Sequence, residues 1–484
     1  MQKHIERIKK EGINSEIITK MIEEHQEDKD RMISYYQRYK AAIDGVPILS
    51  RKPVEYEDFE TGQIKRIDNK VNNTLNNAFD AEIVDTKVGY MFGHAISYEV
   101  DKGEEKKSDT KTPLQKAIEE FNLRNNVEDK DSEWGKKAAI CGYSVRLAYI
   151  DREGKERVTN INPWECILLY SEDMTEPAYG LRYYNIDDNV IRAEFYDEEY
   201  YYIFETGESG YRLVENKKHT FDYCPLFGLP NNEELMADAE KVFALIDAYD
   251  RTLSDANNEI EQYRLAYLVL KGMGADEETL KKLKETGIFE LYDEKEDVNY
   301  LTKNINDQMI ENHLDRLEEN ILRFAKSVNF SDESFGGNIT GVAMKYKLLA
   351  LENKCITMER KMTAALRYQF KVLCSAWSKK GICGNEDYLK VWFGFKRNLP
   401  ANLLDEAQTT MTLRGQVSEK TRLSLLSFVD DPDFEIKQMD TEQEEIMAMY
   451  QQNLPPLGGG ANEKPTGPGQ NTGQPGQKDR IPNR

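Results

Sequence analysis

Apolar residues recur at helical spacing over four long stretches of this chain and alternate with polar ones over another. Residues 15–44, rich in Glu, Lys and Tyr, read as an opening helix, and 48–53, closing on Pro53, read as extended. Over 69–93, Val71, Leu75, Phe79, Ile83 or Val84, and Val88 keep helical spacing, which predicts a second amphipathic helix stopped by glycines. From about 143 to 223 the texture changes. The stretch 143–150 alternates, Asp151 to Gly154 supplies a polar turn, and alternation returns at 181–184 and 191–196. These read as antiparallel strands joined by polar turns.

Beyond Pro225 and Pro230 the pattern is mostly helical. Over 233–268, Val242, Ile246, Tyr249, Leu253, Ala256, Ile260, Tyr263 and Tyr267 alternate steps of four and three, a sustained heptad seam. Ile310, Leu314, Leu317, Ile321, Phe324 and Val328 repeat that alternation and supply a partner helix. Between the two, 268–306 reads as a small α+β insertion at the far end of a helical hairpin. It holds a strand at 268–271, a charged helix over 276–286, and strand candidates at 289–292 and 298–301. A third heptad run (Met344, Leu348, Leu351, Cys355, Met358, Met362, Ala365, Val372) predicts a long helix over 342–377. A strand-like piece at 388–395 and helices near 401–415 and 441–451 follow. From 453 on, Pro, Gly, Gln and Asn leave little to bury, which predicts disorder.

Composition fits several packed units: 484 residues, 39% hydrophobic, 31% charged, with 27 Tyr and 18 Phe. Charge changes the picture. A balance of 65 Lys+Arg against 87 Asp+Glu gives −22, a field that repels phosphates and argues against a protein that wraps nucleic acid tightly. The helical runs differ in sign: 233–268 carries nine acids against Lys241, Arg251 and Arg264, whereas 342–377 carries seven basic residues against Glu352 and Glu359. The six cysteines form no C-x-x-C pair, consistent with a reducing environment. The first ten residues are charged where a signal peptide is apolar, and no apolar run is long enough for a bilayer. The chain is therefore expected to be neither secreted nor membrane-inserted.

Candidate chemistry is sparse. The five histidines (His4, His25, His94, His219, His313) include no i, i+4 pair and none beside a cysteine, so they read as structural or surface residues. Gly336 and Gly341 have the spacing of a phosphate-binding loop, but Val342 and Ala343 stand where Lys and Ser/Thr are required. The acid-x-Lys triplets Glu153/Lys155 and Glu352/Lys354 fall in a turn and on a heptad helix, without a convergent pocket. No enzyme, metal or cofactor is expected. The break at 329–341 is the most informative feature. It is long for a helix connection, and Gly336 and Gly337 sit beside Phe330 and Phe335, the makings of a mobile loop with bulky tips.

Several strings, in order, resemble one family. They are NTLNN at 73–77, IVDTKVGYMFG at 83–93, WGKKAAICGY at 134–143, INPWE at 161–165, PLFGLPNNE at 225–233, LIDAYD at 245–250, SDAN at 254–257 and GGNITGVAMKYKL at 336–348. Together they resemble the portal, or head-to-tail connector, proteins of tailed bacteriophages, particularly long-tailed phages of Gram-positive hosts. Ile339 departs from the small polar residue expected there.

The resemblance implies an α+β, mainly helical portal architecture and a twelve-subunit ring at one capsid vertex. By position, 1–230 would form the wing, 231–268 and 307–328 the stem helices, 269–306 the clip, 329–341 the tunnel loop, 342–400 the long helix and return to the wing, 401–452 the crown, and 453–484 a disordered tail. Stem packing would fall to Val242, Ile246, Tyr249, Leu253, Ala256, Ile260, Tyr263, Ile310, Leu314, Leu317, Ile321 and Phe324. Channel-facing residues would be Asn329, Phe330, Ser331, Asp332, Glu333, Ser334, Phe335, Gly336, Gly337 and Asn338, and clip contacts Glu277, Lys281, Lys282, Lys284 and Glu285. The implied partners are further copies of the chain, double-stranded DNA passing without sequence specificity, a terminase large subunit, a head-completion adaptor, scaffold and major capsid protein, with no membrane. The implied location is the virion, and the host cytoplasm during assembly. A cytosolic coiled-coil adaptor and a metal-dependent nuclease are the readings from other classes.

Overall fold

Helix α1 (Gln2–Glu11) turns through Gly12, at φ +71°, into α2 (Ser15–Tyr39), which Asn14 caps by accepting from the Ile17 amide at 3.0 Å. Helix α1 escapes the sequence reading, and α2 ends before 44 because Ala41 takes a left-handed φ of +52°. In this computed structural model the described residues are 2–452, apart from 54, 58–63, 67–70, 102–110, 172–175, 189, 208–209, 264–266, 272–296, 302–306, 331–340, 400–402, 427 and 430–431. Strands β1 (Glu55–Glu57) and β2 (Ile64–Arg66) form an antiparallel hairpin.

The helix read over 69–93 is half right. Helix α3 covers Phe79–Phe92, whereas 71–78 is not helical and Ala78 turns the chain at φ +50°. Tertiary contacts described below take the backbone amides of that segment. Strand β3 (Ser97–Val100) is followed by α4 (Pro113–Asn125) and α5 (Val127–Cys141), neither of which the periodicity singled out. Pro113 at the first helical position and Thr112 Oγ1, accepting from the Gln115 amide at 3.1 Å, start α4.

The alternating region is antiparallel sheet, as read. Strands β4 (Tyr143–Ile150), β5 (Glu156–Ile161), β6 (Cys166–Tyr170), β7 (Pro177–Asp187), β8 (Val190–Tyr196), β9 (Tyr200–Gly207), β10 (Gly210–Lys218) and β11 (Leu226–Pro230) build two sheets. One is a five-stranded meander from β6 to β10, and the other has the order β11-β4-β5. Ile5, Ile17, Ile18 and Met21 of α1 and α2 cover the meander against Leu169, Leu181, Ala193 and Phe195.

Helix α6 (Phe243–Tyr263) starts later than the heptad run, because Leu235 sits at φ +55° and a 3-10 turn precedes it. Strands β12 (Tyr267–Lys271) and β13 (Asp297–Leu301) pair antiparallel, matching the readings at 268–271 and 298–301, and return the chain to α7 (Asp307–Ala325). The expected helix over 276–286 and strand at 289–292 lie outside the described residues. The long helix is α8 (Gly341–Lys379). Its C-terminal half is buried nearly all round, with Leu366, Phe370, Leu373, Cys374 and Trp377 in the largest core beside Phe121, Trp134 and Phe227. Strand β14 (Val391–Gly394) pairs with β3.

Residues 1–399 form one unit and 400–484 a second. The second holds α9 (Leu403–Thr412), α10 (Glu419–Leu423) and α11 (Pro432–Gln452). Helix α11 starts well before the expected 441, with Pro432 first and Asp433 and Glu435 in its opening turn. The chain is thus α+β and mainly helical.

Candidate functional site

The heptad residues meet in space, but unevenly. At the root of the hairpin, Val242, Ile246, Ile321 and Ala325 are buried against Phe79 and Ile83 of α3, with Tyr249 packed on the cluster. Leu317 is buried. Leu253, Ala256, Ile310 and Leu314 are only half-buried. Ile260 and Phe324 are 58% and 56% exposed, a correction to the seam read from spacing: within one chain it does not include them. Near the end of α7 the root extends to Leu322 and Ala325 instead, because α3 and the 3-10 turn approach from a second side. The side chain of Tyr263 lies outside the described residues.

A polar ladder fixes α6 to the non-helical segment before α3. Asn258 Oδ1 accepts from the Asn73 amide at 2.7 Å, Ser254 Oγ from the Leu75 amide at 2.9 Å, and Asp250 Oδ1 from the Asn77 amide at 3.1 Å. Four helical residues rise about 6.0 Å and two extended residues about 6.6 Å, so the i+4 side chains of one element match the alternate amides of the other. Sequence periodicity assigned Val71 and Leu75 to a helix because it cannot see this second set of acceptors. NTLNN forms one side of the ladder, and Asp250 of LIDAYD, Ser254 of SDAN and Asn258 just beyond that string form the other.

Two buried charge clusters tie the root to its surroundings. Arg38 of α2 donates to Asp80 of α3 at 3.1 Å and to Asp247 of α6 at 2.9 Å, with its guanidinium 4.3 Å from the centre of the Phe243 ring. Burial raises the Asp80 carboxyl above its ordinary range despite Arg38. In the second cluster Asp238 faces Lys87 of α3 at 3.0 Å and Lys354 of α8 at 3.2 Å, and accepts from Asn231 at 3.0 Å. Burial pushes the Asp238 carboxyl up, and the two ammonium groups outweigh it and hold the group below its usual range. Lys354 also donates to the Ala325 carbonyl at 2.9 Å, at the last turn of α7. Gly142, at φ +80°, allows the loop to lie against the end of α5, where a Cβ would strike the Leu235 carbonyl.

Asn329 donates to Glu318 at 3.2 Å and Phe330 is half-exposed, while Ser331 to Asn338 lie outside the described residues. So do Glu277, Lys281, Lys282, Lys284 and Glu285. Glu352 is held by Arg397 at 3.0 Å and by the Tyr90 hydroxyl at 2.7 Å, so the Glu352/Lys354 triplet is divided between separate networks. His4 contacts Glu24 at 2.7 Å and His25 contacts the Tyr183 hydroxyl at 2.8 Å. A cavity of about 530 Å³ near α2 and the sheets is lined in part by Met32, Cys141, Tyr143, Cys166 and Phe227. Burial pushes the Cys141 thiol up to about 12 and raises the Cys166 thiol well above its ordinary value, the opposite of an activated nucleophile. Among the described residues no group of three or more His, Cys, Asp or Glu is placed to hold a metal, and no helix is long and apolar enough to cross a membrane.

Residues 18–449 match the family described as phage portal protein, SPP1 Gp6-like. The portal protein of Bacillus phage SPP1 is 23% identical over 466 residues, covering 92% of this chain and 89% of the relative. The portal protein of Clostridium phage phiCD119 is 22% identical over 429 residues, covering 83% and 90%. A chain in a solved structure titled "Neck of empty GTA particle computed with C6 symmetry" aligns with a TM-score of 0.45 at 10% identity, covering 72% of this chain and 90% of its own.

Proposed function

Because the chain belongs to the SPP1 Gp6-like phage portal family, we propose that it forms the ring at one capsid vertex through which the genome is packaged and ejected. In this reading the ring has about twelve copies, the terminase large subunit and the head-completion adaptor dock at its clip, and it nucleates assembly with scaffold and major capsid protein. It works in the virion after assembling in the host cytoplasm, as a structural conduit rather than an enzyme, with the partner motor supplying force. The family match over residues 18–449 is the observation that carries this reading.

The hairpin supports it. Helices α6 and α7 together carry ten acidic residues against three basic ones. A wall that presents few cations makes few counterion-releasing contacts with phosphate, so DNA slides rather than sticks. Residues 269–306, with Glu277, Lys281, Lys282, Lys284 and Glu285, are assigned to the clip, and 329–341 to a channel loop in which Gly336 and Gly337 give the backbone freedom to change shape.

The test has two stages. Native mass spectrometry of the purified chain should give a closed ring of about twelve copies, and a dimer would favour the coiled-coil adaptor. Proheads reconstituted with Gly336→Ala/Gly337→Ala should keep normal rings and package less DNA. Wild-type packaging by that variant would return the segment to an ordinary connector.

A further inference from the structure

Helix α8 carries two heptad stripes. One, through Leu348, Leu351, Cys355, Met358 and Met362, is buried in the core. The other runs through Tyr346, Leu349, Asn353, Arg360 and Arg367 at steps of three, four and seven, and all five are exposed. Tyr346 is 76% and Leu349 52% exposed. Three other cations of this helix are used internally: Lys354 on Asp238, Lys361 on Glu233 and Lys371 on Glu176. Arg360 and Arg367 make no ion pair among the described residues. A helix with two such stripes is built to pack on two neighbours, and among the described residues only the first stripe is covered.

Helix α7 shows the complementary surface. Asp307, Glu311 and Asp315 follow one another at i, i+4 and i+8, are exposed, and make no hydrogen bond or ion pair among the described residues. They span about 12 Å. Like charges at this spacing destabilise a helix unless a cationic surface faces them. Met309 and Phe324 on the same helix are exposed as well.

A closed ring of identical chains with head-to-tail contacts requires two different patches on each chain, complementary to one another. We infer that the exposed stripe of α8 in one subunit docks on the acidic ridge of α7 in the next. Arg360 and Arg367 face Glu311 and Asp315 across that contact, and Tyr346 and Leu349 cover apolar surface of the neighbouring hairpin. The inference rests on the ring reading and specifies which surfaces close the ring.

Charge reversal tests it on the full chain. Glu311→Lys/Asp315→Lys and Arg360→Glu/Arg367→Glu are compared with the variant carrying all four changes, by mass photometry across concentration and salt. Thermal melts follow the fold, and Glu311→Gln/Asp315→Asn serves as a milder variant. Each reversed pair should raise the half-assembly concentration about tenfold or more, less at high salt, and the fourfold variant should recover most of the loss. The milder variant should shift in the same direction by less. Wild-type assembly by either reversed pair, or no recovery in the fourfold variant, would overturn the inference while leaving the ring reading intact. Normal rings of Arg360→Glu/Arg367→Glu that lose hold of DNA would overturn it too, and assign the stripe to phosphate. A wild-type chain that never forms a ring would sink both.

Discussion

The C-terminal half of α8 and the outer half of the α6–α7 hairpin share one sequence pattern and end in opposite environments. Along α8, Leu366, Phe370, Leu373 and Trp377 are at most 2% exposed, enclosed by α4, α5 and the sheets. Along the hairpin, burial fades from Val242, Ile246 and Ile321 at the root to half-buried Leu253, Leu314 and Ile310, and then to exposed Ile260. A heptad states that a seam exists. Whether the same chain fills it depends on which other elements reach that height: beyond the root, among the described residues, the extended segment 73–77 takes the polar side of α6 through Asp250, Ser254 and Asn258, and the outer apolar positions stay partly or wholly bare. The uncovered part is the part the ring reading assigns to neighbouring copies.

The comparison breaks most easily at the root. Asp238→Ala leaves the Lys87 and Lys354 ammonium groups buried without their carboxylate, and should cost about 3–5 kcal/mol in chemical denaturation of the monomer. A loss below about 1 kcal/mol would show that the root is held by its apolar cluster alone.

Acid should loosen the region around α2 next. His25 is buried against Tyr183, and burial lowers its pKa from 6.5 to about 4, with Asp28 opposing and Lys29 adding to the shift. Above pH 6.5 the folded and unfolded chains are both neutral at this residue. As pH falls from 6.5 to 4 the unfolded chain takes up a proton that the fold refuses, so stability is lost, by up to about 3 kcal/mol. Melting of wild type and His25→Gln over that window should show the dependence flattened in the variant, and equal slopes would assign the loss to other groups.

Smaller effects sharpen the contrast between root and tip. Ser254→Ala removes the acceptor of the Leu75 amide and should cost about 1–2 kcal/mol, with faster exchange of that amide by NMR or mass spectrometry. Ile260→Ala should change monomer stability by no more than about 0.5 kcal/mol, as expected for an exposed side chain, and yet weaken assembly. A large loss in the monomer would place Ile260 inside the seam after all.

Period-2 alternation identified the sheets between β4 and β10, and the heptads located α6, α7 and most of α8, because those patterns report one buried face per element. Helices α4 and α5 escaped notice. Helix α5 buries Trp134, Ala138, Ala139 and Ile140 yet also carries buried Asp131, which pairs with Arg146 of β4 at 2.7 Å, so its apolar stripe is interrupted by a charge satisfied elsewhere. The polar ladder was invisible for a related reason: Asp250, Ser254 and Asn258 look like surface residues until an extended segment presents its amides to them.

By itself, then, the sequence determined the kinds and order of the main elements, the opposite charges of the hairpin and the long helix, and, through ordered strings such as NTLNN and LIDAYD, the family. These are properties of spacing and composition, carried by single elements. Tertiary structure alone decided that 71–78 is not helix, that Lys87, Asp238 and Lys354 form one junction, and that the heptad stripes of α8 and the hairpin are covered in some places and bare in others. Each of these depends on which distant groups arrive at the same point, and the free energy of a buried charge or an unpaired amide is settled only by its neighbours in space.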